Sequence, residues 1–179
     1  MKPSDTLPRF DKYLKQRGLT LEAIATGGAV LALLGIIQRG TRDFDLIEPE
    51  LPPEIREAAA TFAESLRQRG DILRDDWLNN GLASLGPLLP EEWRNRLQPI
   101  FQGEALRLWA LGRPELLLSK LFALCDRALD LGDCLALRPS VEELSRAEAW
   151  IAAQDPHPDW PAHVRATLQD LARRLGDGV

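Results

Sequence analysis

Apolar positions Leu7, Phe10, Tyr13 and Leu14 recur at helical spacing over residues 7–17 and Gly18 supplies a stop, so the chain opens with an amphipathic helix. The next segment, EAIATGG, reads as a short strand running into a double-glycine turn, and AVLALLGIIQ as a nearly all-apolar helix that Gly40-Thr41 breaks. Polar and apolar residues then alternate in DFDLIEP until Pro49, which predicts a second strand. Pro52-Pro53 starts a long helix through Ile55, Ala59, Phe62, Ala63 and Leu66, closed by Gly70, with Glu54 and Glu57 favourably placed near its N-terminus. Residues 71–103 carry the weakest pattern: DILRDDWLNN suggests a strand end, and PEEWRNRLQPI a short helix beginning after Leu89. Alternation returns in ALRLWAL, which leads through Gly112 and Pro114 into a strong helix from Glu115 to about Leu131. Two more helices, Val141 to Ala153 and Ala162 to Leu175, lie on either side of the Pro156, Pro158 and Pro161 cluster.

These elements predict an α/β (α+β) fold: a small mixed sheet flanked by helices, followed by a helical C-terminal extension. The 179 residues suffice for one well-buried core. The main domain is placed at residues 1–137 and the extension, packed on it, at 138–179. A net charge of −5 argues against a general binder of nucleic acid or anionic membrane, because such proteins neutralise phosphates with excess Lys and Arg. The opening MKPSDTLPRF lacks the apolar core of a signal peptide and no apolar run reaches the length of a membrane span, so a cytoplasmic protein is expected. Cys125 and Cys134, with His157 and His163 as the other soft ligands, have no zinc spacing and read as packed thiols and solvent-facing rings. Trp93, Trp109, Trp150 and Trp160 are scattered rather than spaced as a stacking row, which makes packing their expected role. Arg94 and Arg96, and Arg173 and Arg174, have acidic neighbours and read as solvated faces.

The chemistry concentrates in TGGAVLALLGIIQRGTRDFDLI. Asp43 and Asp45 are one residue apart, so on a strand both carboxylates leave the same face while Phe44 enters the core. Two acids held together repel unless a cation neutralises them, and Mg²⁺ takes such oxygens while keeping waters and substrate phosphates as further ligands. The Gly27-Gly28 turn lets backbone approach a phosphate at the start of a helix. Turn and acids thereby suit one nucleotide.

That order of parts resembles the nucleotidyltransferase superfamily of the polymerase-beta type, whose first motif is a Gly-Ser or Gly-Gly turn, a helix, and an acidic pair on the next strand. Within it the chain is similar to the toxin-like bacterial nucleotidyltransferases of abortive-infection systems and to poorly characterised relatives. Many active members carry Ser where this chain has Gly28; Thr41 and Arg42, just before the acids, match the toxin-like subgroup. The resemblance extends to ELLLSKLFALCDRALDLGD, a Leu-rich helix with Lys120, then Arg127, then Asp133. An ammonium among leucines either snorkels or meets an anion. Arg127, about two turns on, falls on nearly the same face, so the two cations suit a triphosphate; the alternative is a solvent-reaching Lys120 and an Arg127–Asp130 pair.

The resemblance implies a nucleoside triphosphate substrate, Mg²⁺ or Mn²⁺ held by Asp43 and Asp45, phosphate seated by Gly27, Gly28 and Thr41, and Lys120 and Arg127 facing the leaving pyrophosphate. A third carboxylate on a neighbouring strand completes the site in the superfamily. Asp76 and Glu104 are the candidates, and Asn79 is a candidate polar residue of the lining. The implied activity is transfer of a nucleotidyl group to a hydroxyl on RNA or protein, in a toxin–antitoxin setting with an antitoxin-like protein partner. The alternative is a nucleotidyltransferase scaffold that binds or regulates without catalysis.

Overall fold

The structure, a computed structural model, describes residues 2–176. Its contacts divide the chain into two compact units, with the boundary in sequence between Gly112 and Arg113. The first holds α1 (Pro3–Gln16), β1 (Leu21–Thr26), α2 (Gly27–Leu33), β2 (Phe44–Glu48), α3 (Pro53–Arg67), β3 (Leu78–Asn79), two 3₁₀ segments (Ala83–Leu88 and Trp93–Arg96), β4 (Gln98–Gln102) and β5 (Leu106–Ala110). The second is helical: α4 (Arg113–Arg127), α5 (Leu131–Leu137), α6 (Val141–Ala152) and α7 (Trp160–Gly176). The expected mixed sheet with flanking helices is present, and the helix carrying Lys120 clusters with the C-terminal helices. No helix among the described residues is long and apolar enough to cross a membrane.

The five strands run in the order β3-β2-β1-β5-β4, with β1 parallel to β5, β2 parallel to β3, and antiparallel pairs at β1/β2 and β4/β5. Period-two alternation divides the sheet into two unlike faces. Ala23, Ala25, Phe44, Leu46, Leu106 and Leu108 are buried on one, in the core to which Leu7, Phe10 and Leu14 of α1 and Ile55, Ala59 and Phe62 of α3 contribute. Phe10, Phe62 and Trp77 form an aromatic cluster there, and the Trp77 indole donates to Ala59 O at 3.1 Å, so the buried N–H is satisfied. Glu22, Ile24, Arg107 and Trp109 alternate with these core positions and remain half-buried or exposed on the other face.

Three departures from the sequence pattern matter. The all-apolar run after Gly28 is helical only to Leu33: Gly35, at φ +72°, ends it, with Gly35 N–H bonding Ala32 O (3.2 Å) and Ile36 N–H bonding Leu31 O (2.9 Å). Apolar composition cannot mark this stop, because Ile36 and Ile37 are half-buried without being helical. The helix expected to reach Leu131 ends at Arg127, and Ala128 (φ 54°) and Asp130 (φ 66°) turn the chain left-handed into α5. Such non-glycine conformations cost about 1–2 kcal/mol each, so tertiary contacts must hold them. In residues 71–103, the short helix expected after Leu89 is a single 3₁₀ turn followed by β4, a strand whose Pro99 masks the pattern.

Candidate functional site

β1 delivers Thr26, in extended conformation, directly into the Gly27-Gly28 turn. Gly27 has φ +83°, which favours glycine, and a Cβ there would stand 2.8 Å from Asp45 Oδ2. A Cβ on Gly28 would lie 3.4 Å from Thr41 Cγ2 and 3.5 Å from a guanidinium nitrogen of Arg39. The fold thus brings Gly27, Gly28, Thr41 and Asp45 together at one end of the sheet, and adds Arg39 to them.

The acidic pair flanks Phe44 as the alternation requires: Phe44 is fully buried while Asp43 and Asp45 are half-buried. Asp45 pairs in register with Thr26 on one side and Asn79 on the other. The Thr26 hydroxyl is fully buried and has no hydrogen-bond partner among the described residues. An orphaned hydroxyl of this kind costs folding free energy and marks a place where a ligand group can bond. Asn79 is locally engaged, its Oδ1 accepting from Gly81 N–H at 2.6 Å and its amide donating to Asp76 O at 3.2 Å. Gly81 faces the same site, since a Cβ on it would stand 2.8 Å from Asn79 Oδ1 and 3.6 Å from Asp45 Oδ1.

The candidate third carboxylates fare differently. Asp76 is exposed and accepts two bonds from Arg74, at 2.8 and 2.7 Å; those bonds hold its carboxyl below the usual range and raise the guanidinium, to which Asp43 adds a smaller pull. Its charge is therefore already matched. Glu104 forms an exposed ion pair with Lys15 and precedes β5, whose Leu106 pairs with Leu21 at the opposite end of β1 from Thr26. Among the described residues no three His, Cys, Asp or Glu side chains form a metal-holding group. Two neighbouring carboxylates nevertheless fit a single Mg²⁺ that keeps waters and phosphate oxygens for its remaining positions. They do not by themselves fit a pair of metals.

In the second unit Lys120 is buried and its ammonium lies 2.9 Å from Asp130 Oδ2 and 2.8 Å from Asp133 Oδ2. It neither snorkels nor stands open. The left-handed break after Arg127 returns both acids to Lys120, which explains how Asp130 keeps its conformation. Arg127 is exposed, apart from this cluster, beside Asp126 at 3.3 Å; the Asp130 partner that sequence spacing offered it bonds Lys120 instead. Burial pushes the thiols of Cys125 and Cys134 up to about 12. His163 bonds the Cys125 carbonyl through Nε2 at 2.8 Å and packs on Trp160, so this exposed ring is more engaged than its proline-rich setting predicts.

Two residues of the site escape sequence reasoning. Thr26 looks like any β-branched strand residue, and Arg39 like a solvated charge before Gly40. Arg39 is close to the acids in sequence, and a strand that must begin beside the Gly27 turn drags its preceding loop there. That topological constraint was the available signal.

Residues 6–136 match the family described as "Nucleotidyltransferase of unknown function (DUF6036)". No curated protein and no solved structure matches the chain. The matched span covers most of the sequence and contains the glycine turn, the acidic pair and the Lys120 helix. The chain belongs to this nucleotidyltransferase family.

Proposed function

We propose that the protein binds a nucleoside triphosphate with one Mg²⁺, or Mn²⁺ in its place, and transfers the nucleotidyl group to a hydroxyl of RNA or protein. The observation that carries this reading is the seating of the Asp45 carboxylate against Gly27, with Asp43 flanking Phe44 beside it. Asp43 and Asp45 hold the cation, which when bound offsets charge on the phosphates. Gly27 and Gly28 leave room for a phosphate to approach backbone, and the buried Thr26 hydroxyl is a donor in want of an acceptor. Arg39, at the turn, supplies the cationic counterpart that the sequence assigned to Lys120 and Arg127. We assign Lys120 to the α4–α5 turn, because Asp130 and Asp133 already match its charge.

In the transfer, the acceptor oxygen bonds the α-phosphorus, the bond to pyrophosphate breaks, pyrophosphate departs and the hydroxyl proton passes to solvent. Positioning and electrostatics supply most of the acceleration in such displacements. A toxin–antitoxin role in the cytoplasm, with an antitoxin-like protein partner, is supported by the motif resemblance to toxin-like nucleotidyltransferases. A second reading, a nucleotide-binding module without transfer, is favoured by Asn79, a carboxamide at the position beside Asp45.

Calorimetry with a non-hydrolysable nucleoside triphosphate, with and without Mg²⁺, tests the site; binding that needs the metal and disappears in Asp45→Asn is expected. Metal-independent binding, or unchanged binding in the variant, overturns the assignment. Incubation with labelled nucleoside triphosphates and cellular RNA or protein then separates the two readings: label in a macromolecule supports the enzyme, and binding without label supports the module.

A further inference from the structure

The uncovered face of the sheet carries a groove of about 700 Å³ that the proposed reaction does not yet use, lined by Glu22, Ile24, Glu48, Arg94, Leu97 and Trp109 among others. Strand register explains its floor. Ile24 pairs with Glu48 on one side and Trp109 on the other, and Trp109 pairs with Pro99, so one row crosses four strands as Glu48, Ile24, Trp109 and Pro99. Thr26, paired with Asp45, follows Ile24 by two residues along β1, past a register irregularity against β2 between Ile24 and Ala25. Two residues of strand advance about 7 Å, which is the spacing along β1 between Ile24 in the groove and Thr26, the cross-strand partner of Asp45.

We propose that this groove is the acceptor subsite and that it takes a nucleobase of an RNA strand, stacked on Trp109. The proposal rests on the nucleotidyl-transfer reading and names its acceptor. Trp109 is half-buried and has neither a ring partner nor a hydrogen bond for its indole N–H among the described residues, unlike Trp77 and Trp160, whose N–H groups bond carbonyls. A groove of this volume holds a ligand of nucleoside size. The floor is a sheet face, which offers flat apolar area but no free backbone N–H or C=O groups; a peptide acceptor gains its affinity from such groups at sheet edges, whereas a base stacks on an aromatic side chain on a face.

The rim is suited to base edges rather than to phosphates. Arg94 lies over the Trp93 ring at 4.3 Å and is ion-paired with Glu48, while Glu22, beside Arg107 in the strand register, has no ion-pair partner among the described residues. A carboxylate accepts from the exocyclic amines of adenine, cytosine or guanine and repels phosphate. Uracil lacks that amine and offers only its N3–H, so weaker binding of U-ended strands follows.

The test uses the full chain and 5′-fluorescein RNA hexanucleotides ending in A, C, G or U, followed by anisotropy without nucleoside triphosphate. Binding to A-, C- and G-ended strands is expected to exceed that to U-ended strands. Trp109→Ala should weaken it at least about tenfold, Trp109→Phe much less, and Glu22→Gln should erase the discrimination against U. Calorimetric nucleoside triphosphate binding by Trp109→Ala, expected unchanged, certifies its fold and separates this proposal from the nucleotide site. RNA binding unaffected by both Trp109 variants, or label transferred to protein equally by wild type and Trp109→Ala, overturns it. Loss of nucleotide binding in wild type would sink the reaction while the anisotropy still reads the groove.

Discussion

Asp45 Oδ2 lies 2.8 Å from the point where a side chain on Gly27 would begin, so the carboxylate and the glycine turn share one space and neither position is independent of the other. This relationship joins the acidic pair to the phosphate-sized turn and makes Gly27 irreplaceable on two grounds, its left-handed φ and the carboxylate beside it. Gly27→Ala should destabilise the fold by about 1–3 kcal/mol and abolish nucleotide binding, because Asp45 has to move. Gly28→Ala, whose Cβ would meet only ordinary contacts at 3.4 Å or more, should be far milder. Urea unfolding and calorimetry on the two variants check the contrast.

Arg39 stands beside Gly28 and is exposed, so its removal should spare stability and affect the ligand. Arg39→Ala is expected to lower Mg²⁺–nucleoside triphosphate affinity about tenfold, the scale of a charged hydrogen bond, with Arg39→Lys intermediate. Equal affinities in all three proteins would remove Arg39 from the site.

The opposite outcome is expected at Lys120. Deleting the ammonium takes away the cation 2.8 Å from Asp133, which is at 2% side-chain exposure, and breaking a buried pair from one side costs about 3–5 kcal/mol. Lys120→Met should therefore lower the unfolding midpoint strongly, and Arg127→Ala scarcely at all. A stable Lys120→Met that has lost nucleotide binding would instead return Lys120 to the phosphates.

The two buried thiols predict an alkaline limit. Each has its pKa raised from 9.0 to about 12 by burial, so between these values the unfolded chain releases a proton that the folded chain keeps. Their contribution is fully present below pH 9 and is withdrawn as pH rises towards 12. Stability should fall through that window, and less steeply in Cys125→Ala/Cys134→Ala. At pH 8 both native thiols should resist a disulfide-exchange reagent and react once urea unfolds the chain.

Much of the site is local in sequence and was legible there. Gly27-Gly28, Phe44 and the flanking Asp43 and Asp45 obey period-two alternation and glycine conformational preference, and both act over a few residues. The strands β1, β2 and β5 followed for the same reason, as did the mixed sheet and helical C-terminal region. What periodicity could not supply were pairings across long loops. Which strand lies beside Asp45, and hence that Asn79 rather than an acid stands there, depends on the β2/β3 register. That Lys120 meets Asp130 and Asp133 depends on a left-handed turn that its residues disfavour intrinsically and that the ion pairs sustain. Local propensity wrote the turn and the two acids, because their conformations are short-range; only the folded chain chose their neighbours, because burial and charge pairing act through space between residues the sequence holds apart.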